Sequence, residues 1–382
     1  VNAARLSLPD FPWDSLAPVK ERASSAVTAD GLGLVDLSVG TPVDPTPQVV
    51  QEALRSAADA PGYPQTWGTP SLREAVARWF ADRRGVPAVD PDGVLPTVGS
   101  KELVAWLPTL LGLGPGDIVG FPSAAYPTYD VGARLAGATP QLVDGLAALG
   151  PLTPSTTPKL LWLNTPANPT GQVLGVEHLA KVVSWARQHG VVVASDECYA
   201  ELDWRAERGD ETSPTTPSIL DPRVTGGSHE GLLCVYSLSK QSNLAGYRAA
   251  FVAGDPGLVR QLLEVRKHAG MIVPWPVQVA LTAAVGDSAH VEAQKAVYAA
   301  RRETLLAGVR AFGLEVTHSE AGLYLWATAG EDSWVTLDRL ADRGILAAPG
   351  TFYGAAGGQH VRIALTASDE RISAAAERLS AG

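Results

Sequence analysis

Between residues 94 and 254 short, almost wholly apolar runs alternate with stretches of helical spacing, and no other feature restricts the fold as much. Val191-Val192-Val193-Ala194 has no polar side to turn toward water. A strand without that alternation must be covered on both faces, which places it in a largely parallel sheet between helices. Strands are predicted at 94–98, 117–121, 139–143, 159–164, 191–196, 231–237 and 249–253. Helices are predicted between them at 101–112, 126–136 and 176–189. Ligands of such sheets bind at the carboxyl ends of the strands. Ser100, Asn164, Asp196 and Ser237 all fall at such ends or just beyond them.

The flanks read differently. Residues 46–59 have helical spacing, and Ser71 is placed to cap a helix running to Arg84. After 254 come helices at 256–268, 276–285 and 288–312. A small α+β unit follows, with strands at 322–327, 345–348 and 360–365 and helices at 335–343 and 368–380. At 382 residues the chain exceeds what one small core serves. We divide it into an N-terminal arm (1–30), a large domain (46–269) and a small domain (31–45 with 270–382). Phe11 and Trp13 in the arm are poor residues to leave in water, so the arm is expected to lie over another surface, a second subunit included. The stretch 205–229 reads as a polar surface excursion.

Composition removes several function classes. The formal charge is −10 and no basic tract is present, which argues against nucleic acid. No run approaches the ~20 apolar residues of a membrane span, and prolines and aspartates break any apolar run near the start, so a cytoplasmic protein is expected. The two cysteines, Cys198 and Cys234, have no metal-ligand spacing, and no metal is expected. Only 7 of the 30 basic residues are lysines, so each lysine repays inspection.

Lys240 lies in Ser237-Leu238-Ser239-Lys240, between two apolar runs, and Arg248 follows eight residues later. Asp196 ends a very apolar strand, where a carboxylate is costly unless it has a partner. Gly99-Ser100-Lys101 opens a helix, whose first N–H groups attract anions, though the spacing of a nucleotide-binding P-loop is absent. Asn164-Thr165-Pro166-Ala167-Asn168-Pro169 is a rigid turn that aims Asn168. A lysine, a carboxylate for a ring nitrogen and a set of phosphate anchors are together what pyridoxal 5'-phosphate requires of a protein.

In this order the motifs resemble fold type I pyridoxal phosphate enzymes, and among them the class I/II aminotransferases. The likeness spans essentially the whole chain. It implies an α/β fold: a large domain with a mostly parallel seven-stranded sheet between helices, plus a smaller α+β domain. It implies that Lys240 carries the cofactor and moves protons, that Asp196 faces the pyridine nitrogen, and that Tyr199 and Asn168 face the ring 3′-oxygen. Ser100, Lys101, Ser237 and Arg248 resemble phosphate ligands, and Tyr126 the aromatic stacked on the ring. Tyr63 resembles a tyrosine lent to the neighbouring subunit, which implies a homodimer with shared sites. Gly40 is expected on the substrate side, and Arg362, between apolar Val361 and Ile363, is expected to hold the substrate α-carboxylate.

Pro9-Asp10-Phe11-Pro12-Trp13-Asp14, Gly99-Ser100-Lys101-Glu102 and Ser242–Arg248 resemble most closely the bacterial N-succinyldiaminopimelate aminotransferases of lysine (diaminopimelate) biosynthesis. The implied reaction exchanges an amino group between an amino acid and a 2-oxo acid, with glutamate and 2-oxoglutarate as one pair. The segment 270–276 has no arginine for a second carboxylate, so plain aspartate is disfavoured. Trp13, Trp67, Lys101 and Glu102 are the candidates for the distal end of the substrate. Another specificity, or a β-lyase, is the alternative on the same scaffold.

Overall fold

The computed structural model describes residues 8–26, 28–205 and 215–381. All seven apolar runs join one sheet. Its order is Val94–Val98, Ala249–Gly254, Leu232–Ser237, Val192–Asp196, Leu160–Asn164, Ile118–Phe121 and Thr139–Leu142. Ala249–Gly254 is antiparallel to both its neighbours and every other pairing is parallel. The three strands at the centre of the chemistry, Leu160–Asn164, Leu232–Ser237 and Ala249–Gly254, are buried at every position. Apolar clusters lie on both faces. Trp79, Phe80, Tyr236 and Phe251 anchor one, and Leu103, Leu107, Tyr129 and Trp162 anchor the other.

A third cluster builds the smaller unit. Its antiparallel sheet runs Ala348–Pro349, Val361–Ala364, Tyr324–Thr328, Glu315–Val316. The strand expected at 345–348 serves two sheets. Ile345–Leu346 pairs with Val35–Asp36, and Ala348–Pro349 pairs with Val361–Ala364. Pro349, which has no N–H to donate, sits on the edge of its sheet.

Several expectations change. The helix Pro70–Arg84 is capped by Thr69, whose Oγ1 accepts from the Leu72 N–H at 3.1 Å, and Ser71 is not the cap. Pro70 has no N–H, and the first helical position needs none, so the helix starts two positions earlier. The helix Trp275–Val285, assigned by sequence to the small domain, buries Ala280, Leu281, Ala284 and Val285 in the core of the large sheet. The arm docks on its own chain: Trp13 packs against Phe352 and Tyr353 with ring centroids 5.2 and 6.3 Å away. Arg22 pairs with Asp342 at 2.7 Å.

The stretch 205–229 is not simply a surface excursion. Residues 206–214 lie outside the described residues, but Thr216, Ser218, Ile219 and Leu220 are buried. They cover Glu197, which accepts from the Ile219 N–H at 2.7 Å and the Ser218 hydroxyl at 3.2 Å. The Arg84 guanidinium meets the same carboxylate at 2.9 Å, with both side chains almost wholly enclosed. Among the described residues no helix is long and apolar enough to cross a membrane, and no cluster of metal ligands forms.

Removing one partner of an enclosed ion pair leaves a bare charge, which costs about 3–5 kcal/mol. Arg84→Met is therefore expected to lower stability by about that amount, read from the urea midpoint. The double variant Arg84→Met/Glu197→Leu should recover part of the loss; a single-variant loss below about 1 kcal/mol would mean that Ser218 and Ile219 satisfy Glu197 alone.

Candidate active site

Asn164, Asp196 and Ser237 end three adjacent strands and form the floor of a cavity of about 330 Å³. Asp196 is 7% exposed. It accepts from the Tyr129 hydroxyl at 3.0 Å and the Cys198 N–H at 3.3 Å. Tyr129 is held in turn by stacking on Trp162, centroids 5.0 Å apart. Burial pushes the Asp196 carboxyl above its ordinary range; Cys198 and Tyr129, which favour its charged form, are not cations and do not offset this. Asn164 ties the neighbouring turn to this strand. Its Nδ2 donates to the Asp196 carbonyl at 2.9 Å, and its Oδ1 accepts from the Asn168 N–H at 2.7 Å. The peptide bonds before Pro166 and Pro169 are cis.

Lys240 reaches into the cavity and donates to the Gly40 carbonyl. Its pKa is lowered, first by burial and further by the Arg362 and Arg248 cations. Ser237 Oγ and Ser239 Oγ stand 2.7 Å apart. Arg248 is held with φ 57°, a sparsely populated conformation for a side-chain-bearing residue, and donates from Nη1 to the Ala245 carbonyl at 2.7 Å. Its guanidinium crosses Gly99 so closely that a Cβ there would lie 2.1 Å from Nη2, and Gly99 has φ 78°. Only glycine meets both demands. The helix Ser100–Leu110 begins at Gly99 with no side-chain cap, so its first N–H groups await an acceptor. Ser100, Ser237, Ser239 and Arg248 line one end of the cavity with that helix start. The donors there suit a phosphate.

Arg362 lies on the opposite side and is 3% exposed. Nη1 donates to Asn168 Oδ1 at 3.0 Å and Nη2 to the Ser38 carbonyl at 2.7 Å, while Nε is buried without a partner. The guanidinium sits 3.9 Å from the Tyr324 ring centre and 4.8 Å from that of Tyr353. Tyr324 Oη is 3.1 Å from Tyr199 Oη, and a Cβ on Gly40 would fall 2.1 Å from it. Burial alone would raise the Tyr324 phenol, but Arg362 and Lys240 outweigh it and pull the pKa below the ordinary value. Burial pushes the Tyr199 phenol up. Tyr126 lines the cavity, with burial raising its hydroxyl to about 12.

The structure thus gathers Gly40, Ser100, Lys101, Tyr126, Asn168, Asp196, Tyr199, Ser237, Lys240, Arg248, Arg362 and Trp13 around one cavity. Three expected residues are elsewhere. Trp67 lies outside the cavity, with the Arg73 guanidinium 4.0 Å over its ring. Glu102 is drawn away by the fully buried Arg266, which holds it at 2.8 Å, so its assignment to the substrate's distal end is corrected. Tyr63 is wholly exposed, beside Trp275 and outside the cavity of its own chain. The segment 270–276 also contributes nothing to that cavity. Sequence reasoning missed Tyr324, Ser239 and Tyr129 as site residues, and it gave Asn164 only as a residue at a ligand-side strand end. Tyr324 carried a signal: with Trp326, which faces Arg362 across the strand pair, it keeps the period of two that puts both on one face.

A seven-stranded sheet with one antiparallel member, bearing a lysine, a buried carboxylate and a donor-lined end in one cavity, defines a fold type I pyridoxal phosphate enzyme. Residues 33–379 match the family of class I and II aminotransferases, and the chain belongs to that family, whose members depend on pyridoxal phosphate and act on amino and oxo acids. Over 373 residues it is 56% identical to 4-dedimethylamino-4-oxo-anhydrotetracycline transaminase OxyQ of Streptomyces rimosus, covering 98% of this chain and 99% of that one. It is also 56% identical to a probable aminotransferase of Mycobacterium tuberculosis, covering 98% of this chain and 86% of that one. A probable N-succinyldiaminopimelate aminotransferase from Thermus thermophilus superposes with a TM-score of 0.81 at 29% identity, over 97% of this chain and 99% of that one.

Since the folded state raises the Asp196 pKa, it favours the protonated form, and ionised Asp196 lowers stability. Asp196→Asn is therefore expected to raise the melting temperature of the cofactor-free protein at neutral pH. The difference should shrink as pH falls through the raised pKa toward the ordinary carboxylate value. A variant no more stable than its parent at neutral pH would contradict the desolvation of Asp196.

Proposed function

We propose that the chain transfers an amino group between an amino acid and a 2-oxo acid with pyridoxal 5'-phosphate, using the cavity around Lys240. The observation that carries this reading is the convergence of Lys240, Asp196 and Arg362 on one enclosed space. The residues fit the cofactor. Asp196 is a buried carboxylate with no cation, and a protonated ring nitrogen would supply one. The start of helix Ser100–Leu110, with Lys101, Ser237, Ser239 and Arg248, would hold the phosphate. Tyr126 would cover the ring, and Asn168 and Tyr199 would face its 3′-oxygen. When bound, the cofactor supplies a ring that accepts the electron pair left as the substrate Cα loses its proton.

Lys240 would hold the cofactor, and its Nζ would carry the Cα proton. Its lowered pKa keeps more of the amine neutral near pH 7 than a solvated lysine would be. Arg362, fixed by Asn168 and Ser38 and stacked on Tyr324, presents its free Nε to the α-carboxylate. A clamped carboxylate orients the Cα–H bond. Gly40 leaves room on the substrate side. Tyr63 is exposed beside Trp275, and in a homodimer it would reach the phosphate site of the second subunit.

For the substrate, the likeness to the Thermus protein supports N-succinyl-LL-2,6-diaminopimelate with 2-oxoglutarate/glutamate in lysine biosynthesis. The lack of an arginine in 270–276 agrees with a substrate longer than aspartate. A second reading, a fused-ring ketone as acceptor, is supported by 56% identity to the Streptomyces transaminase, whose name gives such a compound. A panel of donors and acceptors containing both classes separates them.

Three experiments test the site. Lys240→Ala should lose the visible absorption band of the cofactor-loaded protein, and an unchanged spectrum would overturn the cofactor assignment. Arg362→Ala should raise KM for every amino acid donor by about 10–100-fold, the scale of lost hydrogen bonds to a charged group; an effect confined to one donor would move Arg362 to the distal pocket. Tyr63→Ala subunits mixed with Lys240→Ala subunits should regain part of the activity that neither homodimer shows. No regain would mean that the sites are not shared.

A further inference from the structure

Beyond the Lys240 cavity lies a second one of about 560 Å³, and Phe11, Trp13, Lys101 and Tyr126 border both. Ala105 and Phe352 are among the residues that belong to the second chamber alone. The first cavity is at the low end of the ~300–1,000 Å³ typical of ligand sites. The cofactor and the reacting amino acid backbone would leave it little spare room. A large distal group would have to pass between Trp13 and Tyr126 into the neighbouring chamber.

The wall of that chamber is built of aromatic rings, prolines and aliphatic side chains, which favours an apolar occupant. Two of its lining residues carry a polar atom that no described residue satisfies. The Trp13 Nε1–H is buried without a partner, and so is the hydroxyl of Tyr353, which is 2% exposed. Buried donors normally have acceptors, and leaving one bare is costly. Asp10 and Asp130 carry the negative charge of the lining, and Asp130 is engaged by Arg134 at 2.8 Å. Lys101 is the only cation among the described lining residues and borders both chambers, its ammonium 5.6 Å from the Phe11 ring centre.

We propose that this chamber is the distal-substrate site and takes a large, flat apolar group, aromatic or fused-ring, whose acceptor oxygens meet Trp13, Tyr353 and Lys101. The assignment rests on the transaminase reading of the Lys240 cavity. It makes Phe11 and Trp13 the specificity-determining residues of the arm, and it favours a ring system over an open succinyl chain. An open polar chain would leave the ring-lined wall unfilled and would lose its own hydration against it.

The test compares 2-naphthylalanine with alanine as donors to the cofactor-loaded enzyme, and follows binding of fluorescent 1-hydroxy-2-naphthoate independently of turnover. Ala105→Trp fills the chamber. It should lower the naphthylalanine-to-alanine ratio of kcat/KM at least tenfold and weaken naphthoate binding at least tenfold. Tyr353→Phe keeps the ring and removes the bare hydroxyl, and it should weaken naphthoate binding several-fold while the melting temperature holds. An unchanged ratio in Ala105→Trp, or naphthoate binding that neither variant alters, would overturn the assignment. Naphthoate binding that responds to both variants in a protein that turns over neither donor would support the chamber and sink the transaminase reading instead.

Discussion

Asp196 is a carboxylate at the end of a strand whose neighbours are buried on both sides, and the site is built around the cost of keeping it there. Tyr129 and the Cys198 N–H meet its oxygens, Trp162 holds Tyr129, and Asn164 ties the next strand end to its carbonyl. The adjacent Glu197 points the other way, into the opposite core, where Arg84, Ser218 and Ile219 satisfy it. Two consecutive carboxylates thus receive opposite treatments. Glu197 has a cation and is structural, whereas Asp196 is left waiting for one, and an unmet buried charge marks a binding site.

The cations of the cavity carry the same logic with the sign reversed. Lys101, Lys240, Arg248 and Arg362 share a space of about 330 Å³, where burial first, and the two arginines further, lower the Lys240 pKa. Anions would complement such a grouping, and the two arginines differ in what they can accept. The Arg248 end offers serine hydroxyls and a helix start, suited to a tetrahedral phosphate. The Arg362 end offers a planar guanidinium, suited to a carboxylate. Lys240 lines the same cavity as both arginines.

The small unit takes part in the site through Arg362 and Tyr324, adjacent strands that place a guanidinium on a phenol ring. That stacking, with the Ser38 carbonyl and Asn168, ties three separate segments of chain together at one side chain. The arm adds Trp13 and Phe11 over the same opening.

Much of this was legible in the chain itself, because a parallel sheet demands unbroken apolar strands and the reacting groups sit just past their ends. The seven strands, the lysine turn and Asp196 could be read from local pattern, whereas Arg362 was singled out by the resemblance. Glu102 could not, because nothing near it in sequence shows that Arg266, 164 residues away, would claim its charge. The helix Trp275–Val285 was misassigned because its apolar residues fit either core. Tyr324 emerged only from the pairing of its strand with that of Arg362. Covalent order and periodicity determine which segments are buried and where strands end. The tertiary structure decides which buried charges meet, since pairing over long separations depends on packing that local pattern does not encode.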